Sequence, residues 1–338
     1  MKKVFLTIGI IICLTLLCPT SALAVTPEDI VVLLEPSLEY DSVYRFHEGL
    51  AAVGNWDDMC LNIGYVDKSG KVIIPLDHSF YYTIIQDTTI QDLGIPHFSE
   101  GMMCAPKKDK WGYYDKTGRL MFEYFGAGVF SEGLAAVLVG DWETGKLGYI
   151  NKTGKEVISP KYDGAMNFSE GLAAIRVGDW ETGKWGYIDT TGKEVISPKY
   201  DWADSFYEGL AAIRVGDWET GKWGYIDKTG KEVIPLVYDV AGYFSEGLAA
   251  VGIGDFNDGK FGYIDKTGNI VIPFIYELHL HYGHNGYLLP NFSEGLAAIR
   301  LDNYDVYIDK NGKSAFTFEY EDILNFSEGL AAVRVGGK

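Results

Sequence analysis

The chain has 338 residues, and its 29 lysines and arginines are outnumbered by 47 aspartates and glutamates, which gives a formal net charge of −18. Because nucleic-acid binding needs a concentrated basic surface, we expect no nucleic-acid partner. We attribute the acidity to solubility rather than to recognition of a specific basic ligand.

Residues 1–24 have the features of a secretory signal. Lys2 and Lys3 precede an apolar run from Val4 to Leu17, and Ser21-Ala22-Leu23-Ala24 supplies the small residues of a cleavage site. The apolar run is shorter than the roughly 20 residues needed to span a bilayer. We therefore expect cleavage after Ala24, a secreted or cell-envelope location, and no membrane insertion of the mature chain.

The rest of the chain, residues 25–338, is a tandem array. The segment Phe-x-Glu-Gly-(Leu/Met) recurs, and we name each copy by its phenylalanine: copies 46, 98, 130, 168, 206, 244, 292 and 326. Such a period is typical of small units that bury their apolar surface only by stacking on one another. We place the copies as beginning near residues 40, 92, 124, 162, 200, 238, 286 and 320, with insertions at 76–96 and 277–290.

Each copy contains four short apolar segments. In copy 206 they are Tyr200–Phe206, Leu210–Val215, Trp223–Asp227 and Glu232–Pro235. Their alternation predicts four antiparallel strands and almost no helix. Both faces of the middle strands are apolar, so each sheet must be covered on both sides by its neighbours. We expect the Trp and Tyr rings of one copy to fill space above the small residues of the next.

The third and fourth segments are joined by a hairpin turn. In Asp227-Lys228-Thr229-Gly230 an aspartate starts the turn and a glycine stands where a positive φ is required. Equivalent tetrads begin at Asp67, Asp115, Asn151, Asp189, Asp265 and Asp309, and we expect structural roles for their glycines, including Gly118, Gly154, Gly192, Gly230 and Gly268.

Three Trp-Gly pairs carry a family resemblance. Trp111-Gly112, Trp185-Gly186 and Trp223-Gly224, together with the Phe-Ser-Glu-Gly-Leu-Ala and Asp-Lys-Thr-Gly-Lys segments, resemble bacterial WG-repeat proteins over about Tyr40 to Lys338. The resemblance implies tandem β-repeats and brings no assigned reaction or ligand. Departures from the pattern occur at Ile63-Gly64, Leu147-Gly148, Phe261-Gly262 and Asp305-Val306-Tyr307.

The predicted fold class is all-β, a tandem repeat of about eight small antiparallel meanders in a propeller-like ring. Residues 30–40 resemble a fourth strand, whereas Leu330–Val335 is a second strand with no third or fourth after it. The two ends could therefore share one sheet and close a ring. The uneven spacing of the copies favours the alternative, an open β-solenoid.

The acids recur in equivalent positions, unlike a catalytic pair. An enzyme places two carboxylates in different environments once per site. No serine-hydrolase, phosphate-loop or zinc-protease motif is present. We therefore expect turn-forming roles and no catalytic residue for Glu48, Glu100, Glu132, Glu170, Glu208, Glu246, Glu294 and Glu328.

Trp142, Trp180 and Trp218 occupy identical Gly-Asp-Trp-Glu-Thr-Gly-Lys loops in successive copies. Neighbouring copies would display them as a row along one rim. Exposed aromatic faces bind sugar rings or peptide by burying flat apolar area beside polar groups. In the alternative interpretation each ring folds back over its own hairpin.

Two other segments have metal-like composition. The insertion 277–290 contains His279, His281 and His284, which could ligate zinc or copper or could be solvated loop residues. The segment Asp255–Gly259 has calcium-like composition but the wrong spacing for an EF-hand loop. We expect no metal and no cofactor.

Cys60 and Cys104 lie in the first two copies. An exported compartment permits a disulfide between them, and two unpaired small apolar residues are the alternative. The other insertion, 76–96, is rich in tyrosine and isoleucine, and we expect it to pack over an array end.

We conclude from the sequence that the protein is an exported, monomeric, non-enzymatic scaffold that binds an extracellular protein or glycan. The alternative is a hydrolase or lyase acting on extracellular polymer, with its site in one of the two insertions. A purely structural envelope component is the third hypothesis.

Overall fold

The computed structural model describes residues 9–13, 31–32, 40, 42–57, 60–81, 97–107, 110–254, 259–278, 289–301, 304–315, 322–323 and 330–334. These residues form strands and turns without a helix, which confirms the predicted all-β repeat class. Accordingly, the described part of the chain offers no helix with the length and apolarity that a membrane span requires.

The chain forms two compact units, and Ile84–Leu289 is the larger. It contains one four-stranded antiparallel sheet for each of copies 98, 130, 168, 206 and 244, with the strands in chain order. The strands are Phe98–Ser99, Met102–Lys107, Lys110–Asp115 and Leu120–Tyr124; Gly126–Ala127, Leu134–Val139, Lys146–Asn151 and Glu156–Tyr162; Gly164–Ala165, Leu172–Val177, Lys184–Asp189 and Glu194–Tyr200; Trp202–Ala203, Leu210–Val215, Lys222–Asp227 and Glu232–Tyr238; and Val240–Ala241, Leu248–Ile253, Lys260–Asp265 and Ile270–Glu277.

The other unit comprises Met1–Thr83 and Pro290–Lys338. Copy 46 forms a four-stranded sheet, copy 292 contributes a two-stranded sheet, and a further four-stranded sheet contains copy 326. The strands of copy 46 are Ser42–His47, Leu50–Asp57, Cys60–Asp67 and Val72–Tyr81. Those of copy 292 are Leu296–Leu301 and Tyr304–Asp309.

The sheet of copy 326 is built from both ends of the chain. Its strand order is Val31–Val32, Gly9–Cys13, Leu330–Arg334 and Asp322–Ile323. The sequence predicted a shared sheet but not the strand Gly9–Cys13, which lies inside the expected signal. That strand satisfies backbone groups of Leu330–Arg334 that would otherwise form an open edge. The predicted cleavage after Ala24 lies outside the described residues and stays a prediction.

In copy 206 the structure corrects two predicted strand bounds. The first strand covers only Trp202–Ala203, because the chain then turns back through an isolated bridge between Tyr207 and Leu210. The fourth strand continues past the predicted end at Pro235 to Tyr238. Its register against the third strand shifts, and a proline without an N–H donor is tolerated at such a bulge.

The predicted turn between the third and fourth strands is present. In copy 206 the Asp227 carboxylate accepts hydrogen bonds from the Thr229 and Lys231 N–H groups at 2.9 and 3.1 Å, and Gly230 has a φ of 82°. The left-handed conformation explains why glycine ends each tetrad. The equivalent glycines with φ values from 76° to 85° are Gly70, Gly118, Gly154, Gly192, Gly268 and Gly312.

The core of the larger unit lies between consecutive copies. Tyr187 of copy 168 is fully buried, and its ring centroid lies 4.8 Å from that of Phe206 in the next copy. Its hydroxyl donates to the Asp204 carbonyl at 2.7 Å. Tyr149 and Tyr225 make the same contacts one copy before and after. Burial of each such ring contributes ~2–3 kcal/mol, so the copies stabilise one another.

The glycine of the Trp-Gly pair has a different role from the expected one. A Cβ on Gly186 would lie 2.4 Å from the carbonyl oxygen of Ile196 in the fourth strand of the same copy, and one on Gly224 would lie 2.6 Å from that of Ile234. The glycine therefore permits the bulged fourth strand to approach, rather than leaving space for a ring of the neighbouring copy. Of the tryptophans in the Trp-Gly pairs, Trp111 and Trp185 are buried and Trp223 is partly buried.

Candidate binding site on the tryptophan loops

The recurring glutamates join one copy to the next. Glu170 adopts a left-handed φ of 54°, and its carboxylate accepts a hydrogen bond from the Gly209 N–H of copy 206 at 2.9 Å. The same carboxylate forms a 3.0 Å ion pair with Lys228. Glu208 repeats the arrangement with Gly247 and Lys266. The sequence predicted the turn but missed this inter-copy clasp.

The tryptophan loops are held in shape by their aspartates. In copy 168 the Asp179 carboxylate accepts from the Glu181 N–H at 3.0 Å and from the Thr182 N–H at 2.7 Å. The Thr182 N–H is the largest cause that lowers the pKa of Asp179. Gly183 closes the loop by donating to the Asp179 carbonyl. Trp180 therefore stands at the tip of an ordered loop.

A second aspartate ties each loop to the next. The Asp201 carboxylate pairs with Lys184 at the end of one loop and accepts from the Gly216 N–H of the following loop at 2.9 Å. Burial works against ionisation of Asp201, but Lys184 and the Gly216 N–H outweigh it and hold its pKa below the usual value. Asp163 makes the same link between the first two loops.

The loops leave their indoles exposed. Trp142, Trp180 and Trp218 are 47%, 60% and 59% accessible. The inner face of Trp180 nevertheless covers a side chain, because the Arg176 guanidinium lies 4.9 Å from its ring centroid and 5.7 Å from that of Trp185. The Trp180 ring therefore covers part of its own hairpin but stays largely accessible to solvent, and ligand binding by the row of indoles stays a prediction.

Copy 206 repeats this stack of indole, guanidinium and indole. Arg214 lies 4.6 Å from the Trp218 centroid and 5.8 Å from that of Trp223. Arg176 and Arg214 are only 4% and 7% exposed, and the Nε of each finds no hydrogen-bond partner among the described residues. Burial lowers the pKa of both guanidinium groups, while nearby aspartates oppose that effect.

Copy 130 lacks the stack although its loop sequence is identical. Leu138 stands where the later copies have arginine, and Leu147 pairs with it where they have tryptophan. Sequence reasoning overlooked both arginines. A signal was available, because arginine and tryptophan occur together in copies 168 and 206 and are replaced together in copy 130.

The structure describes the other candidate sites only in part. Residues 255–258, His279, His281 and His284 lie outside the described residues, as do residues 82–96 of the first insertion. Within the residues that the structure describes, no group of His, Cys, Asp or Glu could hold a metal ion.

Cys104 is a free, buried thiol that donates to the Ala127 carbonyl at 3.3 Å. Burial raises its pKa well above the usual value. The structure therefore contains no disulfide at Cys104, and the side chain of Cys60 lies outside what it describes.

Solved structures with a similar fold share little sequence with the chain. An uncharacterized protein from Listeria monocytogenes is 8% identical with a TM-score of 0.47, and the match covers 81% of this chain and 93% of that one. The β-propeller domain of the Trilobed protease from Pyrococcus furiosus is 10% identical with a TM-score of 0.47, covering 83% and 98%.

A prolyl endopeptidase chain reaches a TM-score of 0.50 at 10% identity. The match covers 81% of this chain and 48% of the endopeptidase, so the chain spans about half of that enzyme's length. At this identity the likeness concerns the fold alone.

Sequence comparison gives the family. No curated protein matches the chain in sequence. The family model described as WG containing repeat matches residues 37–55, 63–77, 111–141, 148–179, 185–217, 223–259, 261–304 and 307–338. These matches cover well over half of the chain and include copies 168 and 206, in which an arginine lies between two indoles. The chain belongs to the family of WG-repeat proteins.

Proposed function

We propose that this WG-repeat protein is an exported, monomeric, non-enzymatic scaffold that binds an extended extracellular chain, glycan or peptide, along its tryptophan loops. The observation that carries the proposal is the exposure of Trp180 and Trp218 at 60% and 59%, on loops whose backbone is otherwise tied down. An ordered loop with an exposed indole loses little conformational freedom when a ligand stacks on it.

The arrangement suits a chain-like ligand. The loops recur at equivalent positions in consecutive copies, and Asp163 and Asp201 fix each loop to the next. A polymer that contacts one indole raises the effective concentration of its neighbouring units at the next indole. Weak stacking at each loop would thereby add up to useful affinity.

The recurring polar groups support binding rather than catalysis. The turn aspartates cap backbone N–H groups, and Glu170 and Glu208 clasp the following copy. These carboxylates repeat in equivalent structural environments, whereas acid–base catalysis uses a pair of groups whose environments differ. Export rests on the features of residues 1–24 and stays part of the proposal.

The test is binding of the purified full chain to a panel of soluble polysaccharides and proline-rich or basic peptides, measured by affinity electrophoresis and calorimetry. We expect Trp142→Ala, Trp180→Ala and Trp218→Ala combined in one variant to abolish binding. A matched control truncates exposed side chains of the same copies, Val139→Ala, Val177→Ala and Val215→Ala. The proposal is wrong if the wild-type chain binds nothing on the panel or if the tryptophan variant binds as well as the control.

A further inference from the structure

The stacked arginines distinguish two of the three loops. In copies 168 and 206 a guanidinium lies between the loop indole and the indole of the third strand, at centroid distances from 4.6 to 5.8 Å. A guanidinium beside an aromatic face is attracted by the ring quadrupole, and more strongly where water is excluded. The rings of Trp180 and Trp218 therefore each rest on an arginine and keep the opposite face accessible. Trp142 has no such support, because its copy has Leu138 and Leu147 in place of the arginine and the tryptophan.

A glutamate that can accept hydrogen bonds from a ligand follows each of these two tryptophans in the sequence. Glu181 and Glu219 come directly after Trp180 and Trp218, and both are exposed. Their carboxylates form no hydrogen bond or ion pair with the residues that the structure describes. A ligand on the indole can therefore donate hydrogen bonds to a carboxylate beside it. Vicinal hydroxyl groups of a sugar are donors of this kind, whereas proline residues have no N–H to donate.

The charges around the indoles give no net advantage to an ionic ligand. A cation on the outer face would be attracted by the Glu181 or Glu219 carboxylate but repelled by the guanidinium behind the ring, which already occupies the cation–π position. An anion would meet the Glu181 or Glu219 carboxylate and the overall charge of −18. An uncharged ring with apolar C–H faces and hydroxyl donors at its edge avoids both penalties and stacks on the indole.

We infer that Trp180 with Glu181, and Trp218 with Glu219, form two subsites for the uncharged sugar rings of a neutral glycan, and that Arg176 and Arg214 are positioning residues for these indoles. The inference rests on the proposed function and narrows its ligand class. Trp142, without an arginine behind it, is the weaker third position.

The experiment titrates the full chain with four kinds of probe: neutral hexasaccharides (cellohexaose, xylohexaose and laminarihexaose), oligogalacturonate, oligolysine and a proline-rich decapeptide. Calorimetry gives the affinities, and acrylamide quenching reports how accessible the tryptophans are. We expect a neutral hexasaccharide to bind best and to protect tryptophan from quenching. The Arg176→Met and Arg214→Met double variant should bind it about 10-fold more weakly, because the indoles lose their cation–π support. Lysine at both positions should restore part of the affinity.

Each result decides the inference. Tighter binding of oligolysine, oligogalacturonate or the decapeptide, or unchanged sugar affinity in the methionine variant, would overturn it and leave the proposed function standing. Absence of binding to every probe by the wild type would overturn the proposed function itself. If the methionine variant does not fold, Leu138→Arg with Leu147→Trp decides, since building the stack behind Trp142 should raise affinity for the hexasaccharide several-fold; unchanged affinity would refute the inference.

Discussion

Two regions repeat with the same period in copies 130, 168 and 206, and they differ in what remains available at the surface. In the Phe-x-Glu-Gly turns the phenylalanine is buried and the glutamate is bonded to the next copy. In the tryptophan loops the aspartate and threonine are satisfied locally, but the indole stays largely exposed. Recurrence alone therefore does not distinguish a structural residue from a binding residue. The distinction depends on whether the side chain is already buried or hydrogen-bonded within the protein.

The largest contrast should come from truncating one aromatic in each region. Phe206→Ala removes a fully buried ring that packs on Tyr187, and we expect it to lower the free energy of unfolding by ~3–5 kcal/mol. Trp218→Ala should lower it by only ~1–2 kcal/mol, because more than half of that ring is already in solvent and the main loss is its contact with Arg214. Urea titration of the full chain followed by circular dichroism measures both. Equal losses would contradict the division between the two regions.

Acid should destabilise the contacts that the clasping glutamates and the turn aspartates make. Burial raises the pKa of Glu208, but Lys266 and the Gly247 N–H outweigh it and hold the pKa below the usual 4.5. The hydroxyls of Thr117 and Thr267 are the largest cause that lowers the pKa of the turn carboxylates Asp115 and Asp265 to about 2.

A carboxylate whose pKa is lower in the folded state contributes stability above its unfolded pKa and loses it as pH falls through the folded pKa. Thermal unfolding recorded from pH 7 to pH 2 should therefore show a melting temperature that falls below about pH 4.5. Glu208→Gln should reduce this dependence slightly. A melting temperature that stays constant down to pH 2 would show that these carboxylates are not stabilised by the fold.

Features that depend on neighbouring residues could be predicted from the sequence, whereas contacts between residues far apart in the sequence could not. The Asp227–Gly230 turn follows from the residues inside it, so the sequence located it. Lys228 reaches the backbone of Glu170 across 58 positions, and the carboxylate of Glu170 meets Gly209 across 39. No local pattern encodes such pairs. Trp180 was identifiable as a candidate because it recurs at the tip of a polar loop, but its support by Arg176 depends on two strands pairing in register.

The clasps themselves differ in a way that sharpens the comparison. Glu208 has both the Gly247 N–H and Lys266, whereas Glu132 has the Gly171 N–H and faces a turn with Thr190 in place of lysine. We expect Glu208→Gln to cost about 1 kcal/mol and Glu132→Gln about half as much, since a partly exposed ion pair contributes little. Urea titration measures both, and a larger loss at Glu132 would contradict the assigned role of Lys266.

The smallest effect concerns the loops alone. Trp142 and Trp180 occupy identical loop sequences, but only Trp180 has a guanidinium behind it. If exposure of the indole were sufficient for binding, Trp142→Ala and Trp180→Ala would weaken binding of a neutral hexasaccharide equally. If the ring must also be held in place, Trp180→Ala should weaken it about 3-fold more, a difference of well under 1.4 kcal/mol. Calorimetric affinities of the two single variants, with Val177→Ala as the control, separate these cases. A larger loss at Trp142 would mean that the arginine hinders the ligand, because the ring without a guanidinium behind it would then be the better binder.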